Sequence, residues 1–423
     1  MAAAVALDRA GFRVELFEAH NRLGGRAGSF LLPGQNEWMD RGQHILLGCC
    51  RNLLDFYRRL GVEDRIRFYD EIVFVEPGGR RSVLRAAARS GPGRVAGLLG
   101  LRFLGFRDKL GIVRALAAVR RDYRRADLLD AVSMTDWLRQ RRQTPRAVRR
   151  FWQPLIVSAL NEEPDRASAL HGVQVLWLAL LASRDGARMG VPAVPLVELY
   201  AENHWRRCPN VTLHMGTRVE RVSIEGERVG GIETGSVSHR ADVYILAVPA
   251  EAARSLVPQL GLAPLEASPI TGIRLVFDRP VQDVPHAALL DRTIQWAFRQ
   301  QQGRAVQIVV SASRSLLPLP REEIVRRAVG ELAEFFPAVC RARLEDAHVI
   351  KEANATFTPG PGLVSRRPPA VTRFRNLFLA GDWTRTGWPA TMEGAVRSGY
   401  LAAEAVTASF GNPHRFLIPD PVP

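Results

Sequence analysis

At 423 residues with 47% hydrophobic content, the chain exceeds what one hydrophobic core usually serves, so two domains, or one domain with a large insertion, are expected. The net charge of +15 is carried almost wholly by arginine, since Lys109 and Lys351 are the only lysines; a compositional preference for arginine explains this plainly, and attraction to an anionic membrane surface explains it functionally. Nucleic-acid binding is disfavoured because zinc spacing, an aromatic RNA motif and a lysine-rich tail are all missing. Cys49, Cys50, Cys208 and Cys340 form no C-x-x-C pair, which suits a reduced, cytoplasmic protein with no metal site.

In chain order, Ala2 to Arg9 is predicted as a helix stopped by Gly11, and RVELFE (Arg13 to Glu18) as a buried strand. No signal peptide is expected, and apolar runs such as Leu170 to Ser183 are too short to span a bilayer. From about Arg80 to Gly190 the chain reads as helical and basic, and around Arg94 to Arg121 apolar and arginine positions could segregate on opposite faces. ADVYILAVP (Ala241 to Pro249) and NLFLAGD (Asn376 to Asp382) read as further strands of the parallel sheet begun by RVELFE. From Ile270 onward, ITGIRLVFD, TIQWAFRQ, AVQIVVSAS and AHVIKEANATF predict an antiparallel or mixed sheet. The expected fold class is therefore α/β. A Rossmann-like domain is assembled from residues 1–72, 193–252 and 366–408, and a substrate-binding, membrane-facing domain of mixed sheet plus helices from residues 73–192 and 253–365. Residues 409–423 form an irregular tail.

In dinucleotide-binding folds an acidic residue closing the second strand accepts hydrogen bonds from the adenosine ribose, about 20 residues after a G-x-G-x-x-G turn. Glu18 takes that place. Counting back puts the turn before Met1, so the reading expects the first strand and the phosphate loop to be absent, with the chain starting inside the first helix. Gly24 and Gly25 would let the backbone approach a diphosphate or flavin, and Arg26 would offer phosphate a fork of donors. Near the other end, in AGDWTRTGWPATMEGAVRSG (Ala380 to Gly399), a strand stops at Gly381. Asp382 is placed to bond a ribityl hydroxyl or a pyrophosphate-bound water. A helix starting near Pro389 to Glu393 would aim N–H groups at an anionic or electron-rich ring, with Trp388, Thr391 and Met392 beside it.

Together, E-x5-GGR and AGD-x10-EGA-x-x-SG resemble the flavin amine oxidase and phytoene desaturase superfamily nearly end to end. The resemblance implies FAD in an extended pose, with the backbone of Val219, in VTLHMGTRVERV, presented to adenine. DRGQHILLGCCRNLLDFYRRLG (Asp40 to Gly61), MTDWLRQRRQTPRAVRRFWQPLIVSALNEEPDRASA (Met134 to Ala169) and MGVPAVPL (Met189 to Leu196) are similar to its squalene-associated desaturase branch. That branch's characterised activity reduces hydroxysqualene to squalene with FAD, for bacterial hopanoids. The resemblance implies an isoprenoid lipid substrate, peripheral contact with the inner face of the cell membrane and squalene-synthase-like enzymes as pathway neighbours.

Replacing C–OH by C–H needs a hydride donor and a group that assists the departing oxygen. Asp40 and His44 are the candidates, being four apart and next to the flavin-binding turn; the plain alternative for each is a structural role. Lys351 lies on a strand where amine oxidases carry a flavin-contacting lysine, and its role stays open. Two other readings remain: a carotenoid-type desaturase or isomerase using oxidised flavin, and a non-catalytic membrane-associated partner.

Overall fold

The structure, a computed structural model, describes residues 1–32, 37–85, 97–98 and 100–422. The alanine-rich stretch Ala2–Arg9 is helical and is followed by Gly11 at φ 81°, a conformation that favours glycine. The chain then enters the strand Val14–Phe17, which pairs in parallel with Val211–His214. A second parallel pair joins Tyr244–Leu246 to Leu377–Leu379.

The sequence predicts one continuous parallel sheet, whereas the structure holds two separate pairs. Among the described residues no strand hydrogen-bonds one pair to the other. Helices knit this region instead. Ala2–Arg9 packs on the C-terminal helix Met392–Ser409, and the contact is close enough that a Cβ on Gly399 would lie 2.8 Å from Ala2.

The larger sheet has seven strands in the order Leu344–Phe357, Ala267–Phe277, Ala305–Ser311, Trp296–Gln300, His286–Leu289, Glu71–Val75 and Arg81–Arg85. It is antiparallel except where His286–Leu289 meets Glu71–Val75, which makes it mixed as predicted. Alternation along its strands divides its residues between two cores. Ile273, Leu275, Ala297 and Ile308 pack on the helix Arg321–Phe335. Phe74, Ala288, Trp296 and Phe298 pack under a helical cap that includes Phe106–Tyr123, Met134–Gln140, Gln153–Leu160 and Ala169–Val175.

The region predicted to be helical is therefore helical in its interior, with strands Arg81–Arg85 and Met189–Pro192 at its borders. Of the segment predicted to be amphipathic, residues 94–96 and 99 lie outside the described residues. From Phe106 on, Ile112, Ala115 and Val119 turn into the cap core while Arg107, Arg114 and Arg120 face outward. That apolar stripe is already covered by protein.

The stretch most specific to the branch, FW-x-P-L-x-x-x-A-L-N-E, joins cap to sheet. Asn161, at φ 52°, ends its helix; its amide nitrogen donates to Ser268 O (3.1 Å) and Thr356 Oγ1 (2.9 Å), and its amide oxygen accepts from Ala312 N (2.8 Å). The Glu162 side chain is fully buried, and its carboxylate takes both terminal nitrogens of Arg314 at 2.7 Å and the Thr358 hydroxyl at 2.8 Å. A buried charge with every oxygen engaged is tolerable where an unpaired one is not.

Candidate active site

The glycine turn is built as its sequence demands. Gly24 sits at φ 113°, and a Cβ there would lie 2.7 Å from Ala27 O and 3.0 Å from the Tyr200 ring. At Gly25, φ 58°, a Cβ would meet nothing within 4 Å, so this backbone faces open space. Arg26 leaves the turn toward the other end of the chain. Its Nη2 donates to Asp382 Oδ1 at 2.5 Å and its Nη1 to Ala355 O at 2.9 Å. The two motifs thus meet through an ion pair, although the arginine fork expected to be free for phosphate is engaged by protein.

Gly381, at φ 140°, donates its N–H to Ser398 Oγ at 2.7 Å. Thr391 caps the C-terminal helix by accepting from Gly394 N at 3.0 Å, Met392 opens that helix, and Trp388 is buried in the turn before it. Arg367 was missed by sequence reasoning. It is buried, with Nη1 on Trp388 O and Nη2 on Asp382 O and Thr386 Oγ1, so it holds the whole 382–388 turn in shape. Glu393, within the EGA motif, accepts from Leu53 N and Asn52 and so docks the C-terminal helix on the start of Arg51–Leu60.

Glu18 ends the first parallel strand. Its Oε1 accepts from His20 N at 2.9 Å, while its second oxygen takes no bond from the described residues. Thr217 N donates to Glu18 O at 2.8 Å, which brings Val219 close by, packed against the core cluster that includes Leu246 and Leu379. A free carboxylate oxygen, a glycine turn open to space and a capped helix start fit an extended dinucleotide, for which Glu18 would offer an acceptor to ribose and the turn would leave room for the diphosphate.

Asp40 and His44 have structural partners. Asp40 Oδ1 accepts from Ser29 Oγ (2.5 Å) and Leu196 N (3.0 Å), tying the hairpin Ser29–Asp40 to the helix Leu196–Leu199; burial raises its pKa against those bonds. His44 Nδ1 lies 2.8 Å from Gly42 O, and burial lowers its pKa, which favours the neutral ring. Lys351 bonds to the carbonyls of Leu317 and Leu319.

A cavity of about 350 Å³ lies between this hairpin and the large sheet. Asp40, Gly42 and Gln43 line one side, and Arg274, His286 and Gln307 line the other. Arg274 is 3% exposed and pairs with Glu37 at 2.5 Å. His286 Nε2 donates to Glu71 O, and its buried Nδ1 has no partner among the described residues. These three were also missed. The signal was an arginine or amide inside an apolar strand, as in ITGIRLVFD and AVQIVV, where burial without a partner is costly.

The profile of the family described as flavin containing amine oxidoreductase matches residues 1–407. The chain belongs to this family. It is 30% identical over 417 residues to hydroxysqualene dehydroxylase of Sinorhizobium fredii, covering 96% of this chain and 95% of that protein. It is 30% identical over 428 residues to the same-named protein of Rhodopseudomonas palustris, covering 97% and 96%. A zeta-carotene desaturase of Synechocystis is 25% identical over 475 residues, covering 97% and 95%. An oxidoreductase structure from Methanosarcina mazei shares the fold with a TM-score of 0.67 at 16% identity, covering 96% and 97%. Wild-type putrescine oxidase does so with a TM-score of 0.67 at 16% identity, covering 96% of each chain. As a flavin amine oxidoreductase of α/β fold, the protein is an oxidoreductase that uses FAD. Fold class, cofactor and superfamily are thus as read from sequence.

Proposed function

We propose that the protein reduces hydroxysqualene to squalene, in the squalene supply of hopanoid biosynthesis. FAD, when bound and reduced, would supply the hydride for the carbon that loses its oxygen, and a proton from solvent would complete the departing water. The observation that carries this reading is the polar lining of the cavity beside the DRGQH turn. Gln43, Arg274 and Gln307 offer N–H groups to the oxygen of a hydroxyl, and His286 Nδ1, without a partner among the described residues, can accept its O–H, so the lining can hold the group that must depart. A desaturase takes hydride from a hydrocarbon and has no use for such groups. The 30% identity to two hydroxysqualene dehydroxylases, against 25% to the carotene desaturase, supports the same choice.

The substrate is an isoprenoid lipid, and collection from a bilayer is its simplest route. Phe106 (79% exposed), Leu110 and Leu128 stand out from the cap among Arg107, Arg114, Arg120 and Arg121, a surface suited to the anionic inner face of the cell membrane. Among the described residues no helix is long and apolar enough to cross a membrane. The reading is tested by Gln307→Leu, which removes a donor while keeping the size of the side chain. It should lower kcat/KM for hydroxysqualene by about 10- to 100-fold, the value of one hydrogen bond at a reacting group, and leave FAD content unchanged. An unchanged kcat/KM would remove the cavity from the mechanism.

A further inference from the structure

The residues after the C-terminal helix have no regular secondary structure, yet their backbone is held at nearly every step. Phe416 N and Leu417 N donate to Glu404 Oε1 at 2.8 and 2.9 Å. Ile418 N donates to Asn52 Oδ1 at 2.8 Å, Asn52 Nδ2 returns a bond to Ile418 O at 3.1 Å, and Arg51 Nη1 reaches Pro419 O at 3.0 Å. This strap delivers Asp420 to the turn that precedes the C-terminal helix. Asp420 Oδ2 accepts from Trp388 Nε1 at 2.8 Å, and Oδ1 accepts from Arg397 Nη1 at 3.2 Å.

Arg397 is 6% exposed, lies over the Trp388 ring at 5.7 Å and donates from Nε to Thr386 O at 3.1 Å. Its other carboxylate neighbour, Glu393, is 3.9 Å away and already accepts from Asn52 and Leu53. Asp420 is therefore the closer counter-charge of a buried arginine. One residue on, Pro421 O accepts from Trp177 Nε1 of the cap at 2.9 Å, and Tyr123 stacks on Trp177 at 6.2 Å. Beside this, Gln174 of the cap donates to Gly387 O at 2.8 Å. Cap and turn meet at two adjacent points, and the strap supplies one of them.

We propose that Asp420 is a positioning residue of this oxidoreductase: it fixes Trp388 and Arg397 at the flavin-proximal turn and, through Pro421, latches Trp177 of the helical cap onto that turn. The proposal rests on the reading that residues 382–392 face FAD. It implies that loss of the Asp420 acceptor for Trp388 Nε1 is felt at Trp177, which the Asp420 side chain does not touch, and at the cofactor.

The test uses the full chain labelled with 5-fluorotryptophan, with the fluorine resonances of Trp177 and Trp388 assigned by Trp→Phe replacement. In Asp420→Ala both resonances should move. FAD should bind about tenfold more weakly, as expected for loss of one buried charge-assisted hydrogen bond. Asp420→Asn keeps an acceptor for Trp388 Nε1 and loses the charge facing Arg397, so the Trp177 resonance should stay in place and FAD affinity should fall between the two. If Asp420→Ala is too unstable to purify, Asp420→Ser, which withdraws the acceptor from Trp388 Nε1 and the charge from Arg397, takes its place in both readings. A Trp177 resonance unmoved in the alanine variant, or lowered thermal stability with unchanged FAD affinity in either variant, overturns the proposal. Neither reading requires hydroxysqualene. Failure of the unsubstituted protein to turn over that alcohol would count against the proposed reaction and leave the strap to be judged on its own data.

Discussion

His171 is 1% exposed, with Nδ1 3.3 Å from Gln174 Oε1 and Nε2 without a partner among the described residues. Burial first, and then the Arg367 charge, lower its pKa from 6.5 to about 4. The sign of the resulting pH dependence follows directly. Between pH 6.5 and about 4 the unfolded chain binds a proton that the folded chain refuses, so stability is fully present above 6.5 and falls as pH falls through that window. The difference amounts to about 3 kcal/mol, and His171→Asn should remove that part of the slope when denaturant melts are compared at pH 7 and 4.5. An identical slope in the variant would mean that His171 is protonated while folded. At this scale the sequence was legible where chemistry is tied to spacing. Gly24, Gly25 and Gly381 could be singled out because their positive φ angles of 113°, 58° and 140° favour glycine, and the structure joins the two motifs that hold them through Arg26 and Asp382. Arg367 could not be named, because its acceptors are backbone carbonyls and a hydroxyl 15 to 21 positions away, whose approach depends on the fold of a turn rather than on any periodicity.

The elements that join the two halves of the molecule carry the branch's most distinctive sequence. Glu162 is buried and takes both terminal nitrogens of Arg314, whose own side chain is 34% exposed, with Arg166 Nε a further 3.5 Å away, so removing Arg314 leaves a buried carboxylate under-compensated, at a cost of about 1–3 kcal/mol. Arg314→Met should therefore lower the calorimetric melting temperature by a few degrees, whereas the double variant with Glu162→Met should recover much of the loss. A single variant that melts like the unsubstituted protein would make the clamp incidental. Strands were legible as elements because short apolar runs between turns have few alternatives. Their assembly was not: nothing in RVELFE or NLFLAGD says which strand lies beside it, and the two parallel pairs remain apart. The arginine-rich cap helix illustrates the same limit. Its apolar and basic positions segregate as predicted, but periodicity cannot tell an apolar stripe facing a bilayer from one facing Phe103, Trp137 and Phe151.

For the whole molecule, the excess of arginine and the exposed Phe106, Leu110 and Leu128 make a prediction about liposomes. Recovery by flotation should rise with the anionic lipid fraction and fall with salt. The double variant Phe106→Ser, Leu110→Ser should float several-fold less well at equal anionic content, and equal recovery would place the contact elsewhere or nowhere. The central claim concerns the direction of electron flow. The protein loaded with FAD, reduced chemically without oxygen and mixed with hydroxysqualene, is followed by mass spectrometry of the lipid extract and by the flavin absorbance. The account predicts squalene formed in step with flavin oxidation, one molecule per FAD. Untouched hydroxysqualene, together with new double bonds in phytoene or a related polyene when the flavin starts oxidised, would contradict it.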